Sequence, residues 1–199
     1  MKFVLIGATG TAGKEIAANL KEHGVVEVSR SNGEDLATGE GLEEALRGTD
    51  VCVDASIPMP PDDEALTELL SGVGHLVFLS IINLDKHEVT KFRYYVAKAA
   101  QVKPMRETDL PTSVVNSAQR MEFVLNPASS SEEDDTIKVE DWLIQLIALA
   151  DAARTVAHTA LGDGSLLAPK GADILGPDVA AYCTGLKKRL GLGGGQASS

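Results

Sequence analysis

The chain has 199 residues, of which 44% are hydrophobic and 24% charged, with a formal net charge of −11 at pH 7. That length supports one core with a small appended lobe, and the composition is ordinary for a soluble globular protein. The negative charge argues against a nucleic-acid partner, whose phosphates it would repel, and the densest basic run is only Lys187-Lys188-Arg189.

Cys52 and Cys183 have no CxxC spacing and no nearby histidine. They read as small buried hydrophobes, so neither a disulfide nor a metal site is expected. The apolar run Phe3 to Ile6 is too short for a signal peptide, and no stretch reaches membrane-spanning length. The expectation is a cytoplasmic protein with no membrane partner, a monomer or a homodimer.

In chain order, Lys2 to Ile6 is a continuous apolar run ending at Gly7, the pattern of a strand buried on both faces of a parallel sheet. Thr11 to His23 follows as a helix, with Ile16 and Leu20 four apart and Gly24 placed to end it. Val25 to Ser29 is a second strand. Strand, glycine loop, helix and strand fit in ~30 residues, one βαβ unit.

The next region is compressed. Asp35-Leu36 is expected to be a stub of strand, Gly41 to Arg47 a short helix, and Val51 to Asp54 a strand. Prolines at 58, 60 and 61 make Ser56 to Pro61 a loop, and Asp62 or Asp63 caps a helix running to about Ser71. His75 to Leu79 is a strand closed by Ser80, Lys91 to about Val102 a helix, and Thr112 to Val115 a strand.

Asn126 to Asp135 is polar, acidic and serine-rich, the best internal break, and is expected to be a loop. Composition would accept one long helix over Trp142 to His158. We favour a strand from Leu143 to Leu149, then a helix to about Leu161 with Asp151 as its N-cap. Asp173 to Leu175 is a short strand, Pro177-Asp178 opens a helix through Leu190, and 191–199 is a flexible tail.

The glycine loop Gly7-Ala8-Thr9-Gly10-Thr11-Ala12-Gly13 carries the first chemistry. A phosphate rests on a helix N-terminus only where nothing projects between it and the free backbone N–H groups. Gly7 permits the turn off the strand, Gly10 a close approach to a pyrophosphate, and Gly13 tight packing of helix on sheet, while Thr9 and Thr11 add hydroxyls. A merely structural turn is the competing account. At the end of the second strand an acid would grip a ribose 2′-hydroxyl and a cation a 2′-phosphate. Here Ser29, Arg30 and Ser31 favour NADP(H), and Glu27 leaves room for NAD(H).

Together Met1 to Gly13, Ser29-Arg30-Ser31, Leu79-Ser80-Ile81, Tyr94-Tyr95-Val96-Ala97-Lys98 and Ser113 to Phe123 resemble an atypical short-chain dehydrogenase/reductase of the NmrA-like NAD(P)-binding kind. Beyond Phe123 the resemblance is loose, through Ala150-Asp151-Ala152-Ala153 and Leu175-Gly176-Pro177. It implies an α/β fold with a Rossmann-type doubly wound parallel sheet. It also implies an NAD(P)-binding core over 1–125 and small C-terminal substrate-lobe elements over 126–190.

Tyr94 and Lys98 stand at YxxxK spacing, one helical turn apart on one face, and Ser80 ends the strand before them. The resemblance implies that Ser80 orients a substrate carbonyl, Tyr94 transfers a proton, and Lys98 lowers the phenol pKa and holds the nicotinamide ribose. Tyr94-Tyr95 equally suits a helix that packs one ring and exposes the other. Backbone at Asp54, Ala55 and Ser56, which closes a strand, should line the adenine-ribose side. Where the family usually has an arginine after its strand stands Asn116, and an aromatic is replaced by Arg120. Asn116 and Gln119 remain able to bond a cofactor amide or substrate oxygen, and Arg120 to meet an anionic or phenolic substrate or simply solvent.

Two functions stay open at this point. One is an NAD(P)H-dependent oxidoreductase acting on a small carbonyl, quinone or aromatic polyketide-like substrate. The other is an NADP(H)-binding redox sensor that signals to a partner without turnover. A scaffold that has lost most of its binding is the third option, suggested by the compression between Ser29 and His75.

Overall fold

The computed structural model describes residues 1–36, 38–57, 70, 72–87, 93–107, 109–122, 130–133, 136–139, 145–162 and 172–174. Strand β1 (Phe3–Ile6) runs into the glycine loop and then α1 (Thr11–Leu20), prolonged by a 3-10 turn at Lys21–His23. Gly24 ends that turn at φ 62°, a conformation cheap only without a Cβ. There follow β2 (Val25–Val28), α2 (Leu42–Leu46), β3 (Val51–Asp54), β4 (His75–Ile81), α3 (Arg93–Glu107) and β5 (Thr112–Ser117).

β1 to β5 and β10 (Ala172–Ile174) form one six-stranded sheet in the order β10-β5-β4-β3-β1-β2, every pair parallel. The alternation of side chains along each strand feeds two cores. Phe3, Leu5, Val53 and Val77 face Ile16 and Leu20 of α1 and Val156 of α4 (Leu149–Leu161). Val4, Ile6, Cys52, Leu76 and Phe78 face Leu42 and Leu46 of α2 and Val102 and Met105 of α3. Helices therefore cover both faces, and the doubly wound sheet expected from the sequence is present. After β2 the chain returns to the other side of β1, so strand order reverses between β1 and β3. In open α/β sheets, ligands bind in the crevice beyond the strand ends at such a reversal.

Four local expectations need correction. Asp35 and Leu36 form no strand. Asp35 N–H donates to the Glu40 carbonyl and its own carbonyl accepts from Gly39 N–H, so a turn consumes the groups a strand would offer to β2. Among the described residues the sheet thus ends at β2. Helix α3 runs past Val102 through Pro104 to Glu107, because Val102 and Met105 bury on either side of the proline and hold the last turn.

Ser130–Glu133 (β7), placed in a loop by its polarity, pairs antiparallel with Thr136–Val139 (β8). The β-branched residues at 136, 137 and 139 give that hairpin strand propensity. Asp151 is not an N-cap. Ala148 holds that position and α4 begins at Leu149, because its start is set by the buried face of Leu149, Ala152 and Ala153. Asp151 lies in the first turn, near the positive helix end, paired with Arg154.

The short strand β6 (Gln119–Arg120) pairs in parallel with β9 (Leu146–Ile147). Ala118, Ile147 and Ala152 form a small third core beside the sheet's carboxyl edge, with Ile82 against it. Among the described residues no helix is long and apolar enough to cross a membrane. The helix expected near 62–71, apart from helical Leu70, lies outside the described residues, as do Trp142, Cys183, the helix at 177–190 and the tail.

Candidate functional site

The glycine loop lies at the strand-order reversal. Gly7 has φ +79°, and a Cβ there would sit 3.0 Å from backbone atoms of Ala55 and Ser56. The turn off β1 is thereby packed on the turn off β3. Gly7 N–H donates to the Val28 carbonyl at 3.1 Å, tying the loop to the end of β2 as well. A Cβ on Gly13 would overlap the Gly7 carbonyl oxygen and come 2.8 Å from Ala8 Cα, so α1 can approach the loop this closely only with glycine there. Gly10 is the N-cap of α1 and offers no side-chain cap to it. The first turn, including Thr11, Ala12 and buried Gly13, thus presents uncapped backbone N–H groups to the crevice, with Thr9 and Thr11 exposed at its rim.

At the end of β2, Ser29 is buried and Arg30 exposed, in a 3-10 turn over Arg30–Asn32. The Ser29 and Ser31 hydroxyls are 2.9 Å apart. Sequence reasoning missed Glu34. Its carboxylate accepts the Ser29 backbone N–H at 3.1 Å, which brings a negative charge to the place read as a 2′-phosphate seat. The 3-10 turn at Arg30–Asn32, closed by Gly33, returns Glu34 to Ser29, whose carbonyl also accepts the Glu34 N–H at 3.2 Å.

Behind the loops of β1 and β3 lies a polar network. Lys98 is 3% exposed and Asp54 1%. Lys98 Nζ donates to the Ser56 carbonyl at 3.2 Å and to Gln101 Oε1 at 3.0 Å, and stands 4.3 Å over the Phe78 ring. Gln101 Nε2 donates to Ser56 Oγ at 3.0 Å and reaches Asp54 Oδ2 at 3.4 Å, while Asp54 Oδ1 accepts Ser56 N–H at 2.8 Å. Burial lowers the Lys98 pKa to about 8, with the Asp54 charge opposing the shift. Gln101, and the role of the Asp54 carboxylate beside it, were not read from the sequence. The one available signal is that Gln101 follows Lys98 by three residues on the same helix face.

Ser80 and Asn116 stand in register on β4 and β5, both buried. Ser80 Oγ is buried with no hydrogen-bond partner among the described residues. An orphaned buried hydroxyl is costly and points to a ligand group that completes it. Tyr94 is 48% exposed and meets the Tyr95 ring edge-on at 5.3 Å. Burial raises its pKa and the Arg120 charge opposes that rise. The cation acting on the Tyr94 phenol is therefore Arg120, whereas the Lys98 amine is engaged with Ser56 and Gln101. Tyr95 Oη donates to Gln119 Oε1 at 3.1 Å, an anchor from α3 to β6.

The structure thus brings Gly7, Gly13, Ala55, Ser56 and Lys98 together, and sets Ser29 and Arg30 at the crevice end nearest β2. Ser80 and Asn116 pair on adjacent strands, and Tyr94 belongs to a separate group with Tyr95, Gln119 and Arg120. Among the described residues no hydrogen bond joins Ser80, Tyr94 and Lys98 into one constellation.

No family model matches the chain. A (4-alkanoyl-5-oxo-2,5-dihydrofuran-3-yl)methyl phosphate reductase of Streptomyces griseus is 32% identical over 106 residues, covering 45% of this chain and 38% of that protein. The chain therefore spans well under half the length of this relative. Among solved structures, UDP-glucuronic acid 4-epimerase from Bacillus cereus, in complex with UDP-glucuronic acid and NAD, aligns with TM-score 0.68 at 13% identity, over 96% of this chain and 83% of that one. UDP-N-acetylglucosamine 4-epimerase from Bacillus cereus aligns with TM-score 0.65 at 18% identity, over 100% of this chain and 88% of that one. A wide-type short-chain dehydrogenase/reductase from Veillonella parvula in complex with NADP aligns with TM-score 0.61 at 12% identity, over 89% and 95%. The chain has the Rossmann-like fold of these solved structures, the fold class that the resemblance implied.

Proposed function

We propose that this crevice binds NADPH, with NADH the weaker ligand, and that the chain is a reductase of small conjugated carbonyl compounds. The observation that carries the proposal is the uncapped N-terminus of α1, cradled by Gly7 and Gly13 at the strand-order reversal. Gly7, Thr9, Gly10, Thr11, Ala12 and Gly13 hold the pyrophosphate. Ala55 and Ser56 line the adenosine side, and Ser29 and Arg30 take the 2′-phosphate. Asn116 lies toward the nicotinamide half, and Lys98 stands behind Ser56. The Streptomyces griseus relative, named a reductase, and the NADP and NAD complexes of the fold neighbours support this assignment.

The nicotinamide, when bound, supplies the hydride. Ser80 Oγ, without a hydrogen-bond partner among the described residues, donates to the carbonyl oxygen of the substrate and polarises it. Tyr94 Oη, on the half-exposed side of α3, or a water beside it, delivers the proton that balances the hydride. Lys98, held on Ser56 O and Gln101, fixes the loop after β3 at the cofactor's edge.

Fluorescence titration with NADPH and NADH, followed by NADPH oxidation against aldehydes, enones and quinones, tests the proposal. Micromolar NADPH binding with turnover of one class is expected. No binding of either nucleotide below millimolar overturns it, and tight binding without turnover transfers the case to a nucleotide sensor.

A further inference from the structure

Arg120 is a half-buried guanidinium at the carboxyl edge of the sheet, on β6 directly after β5. No carboxylate among the described residues pairs with it, although acidic residues outnumber basic ones 29 to 18 in this chain. Its surroundings are built rather than loose. The preceding residue, Gln119, is anchored by Tyr95 Oη at 3.1 Å, and β6 is held in register by β9, with Arg120 opposite Ile147. Tyr94, stacked edge-on against Tyr95 near the start of α3, is half-exposed, and its phenol feels the Arg120 charge. A cation that is partly desolvated without a counter-ion is held at a cost unless something anionic joins it. A guanidinium offers a planar fork of donors, the geometry suited to a carboxylate or phosphate.

We infer that Arg120 seats an anionic group on the substrate, so the substrate class is a small carbonyl compound bearing a carboxylate or a phosphate monoester. This rests on the reductase reading above and deepens it. Arg120 is then a specificity determinant that orients the carbonyl toward Ser80, while Arg30, at the β2 edge, serves the cofactor. The negative surface of the chain repels anions in general, so a single seat decides which of them enter.

The test compares three aldehydes of one shape: 4-carboxybenzaldehyde, 4-formylphenyl phosphate and neutral 4-(hydroxymethyl)benzaldehyde, each reduced with NADPH by the wild-type chain and by Arg120→Gln and Arg120→Lys. The readout is the ratio of kcat/KM between an anionic and the neutral aldehyde. In the wild type one anion should be preferred by about ten-fold or more, and whether it is the carboxylate or the phosphate identifies the group. Arg120→Gln should bring that ratio to about one through KM, and Arg120→Lys should restore part of it. A wild-type ratio near one, or a ratio that Arg120→Gln leaves intact, overturns the inference.

Calorimetric titration with phenyl phosphate, with benzyl alcohol as its neutral counterpart, separates the two proposals. Phenyl phosphate binding that Arg120→Gln abolishes upholds the anion seat even if no aldehyde turns over, and in that case the reductase reading alone falls. Absence of phenyl phosphate binding to the wild type, alongside aldehyde turnover without anion preference, removes the seat and leaves the reductase reading standing.

Discussion

The Nζ of Lys98 donates to the carbonyl oxygen of Ser56 at 3.2 Å, joining a helix to a loop 42 residues earlier and closing the floor of the crevice. The ammonium is almost wholly removed from water, and its compensation comes from a carbonyl, an amide oxygen, an aromatic face and the nearby Asp54 charge.

That burial gives a pH signature. The folded-state pKa of Lys98, about 8, lies below its ordinary value of 10.5, so between those values the unfolded chain binds more protons than the folded one. Its contribution to stability should therefore rise with pH from about 8 to about 10. Lys98→Met should flatten the rise, which is worth up to roughly 3 kcal/mol by linkage. Urea unfolding of both proteins at pH 7.5, 9 and 10 measures the difference. Parallel curves would show that the amine is not desolvated.

Ser80→Ala separates stability from function. The hydroxyl is buried and orphaned, so its removal should leave stability unchanged or raise it by about 1 kcal/mol. Turnover should fall by ~10² if the hydroxyl polarises the substrate oxygen. Urea midpoints and NADPH oxidation rates check both halves.

Gly13→Ala should cost about 1–3 kcal/mol of stability and most nucleotide affinity, because its Cβ overlaps the Gly7 carbonyl and forces α1 off the loop. Thermal unfolding with and without NADPH reports both losses. An unaltered melting temperature would contradict the close packing.

Arg30 and Glu34 should act on NADPH in opposite directions. Arg30→Ala should weaken NADPH by about ten-fold and NADH far less. Glu34→Gln keeps an acceptor for Ser29 N–H and deletes the adjacent charge, so it should tighten NADPH a few-fold and leave NADH unaffected. Equal effects on both nucleotides would remove the 2′-phosphate from this corner.

The sheet was legible because a strand buried on both faces needs an unbroken apolar run, which Phe3 to Ile6, Val51 to Val53 and Leu76 to Leu79 supply. The loop at Gly7 was legible because only glycine suits a positive φ beside another backbone. Contacts that depend on tertiary closure were not legible. Glu34 finds Ser29 through a turn, Gln101 finds Asp54 across 47 residues, and Tyr95 rather than Tyr94 bonds Gln119. The start of α4 was misplaced because the favoured capping side chain of Asp151 competes with an apolar face that begins at Leu149, and the face won.

The turn that replaces a strand at Asp35-Leu36 leaves β2 as the rim of the sheet. A nucleotide lying across the crevice as proposed would have its adenosine half at that rim, beside the turn at Arg30–Asn32. Its exchange would then be quick relative to a cofactor roofed by a further strand, and the dinucleotide would behave as a reactant that arrives and departs with every cycle. The pace of the cycle would then follow the cell's ratio of reduced to oxidised nucleotide.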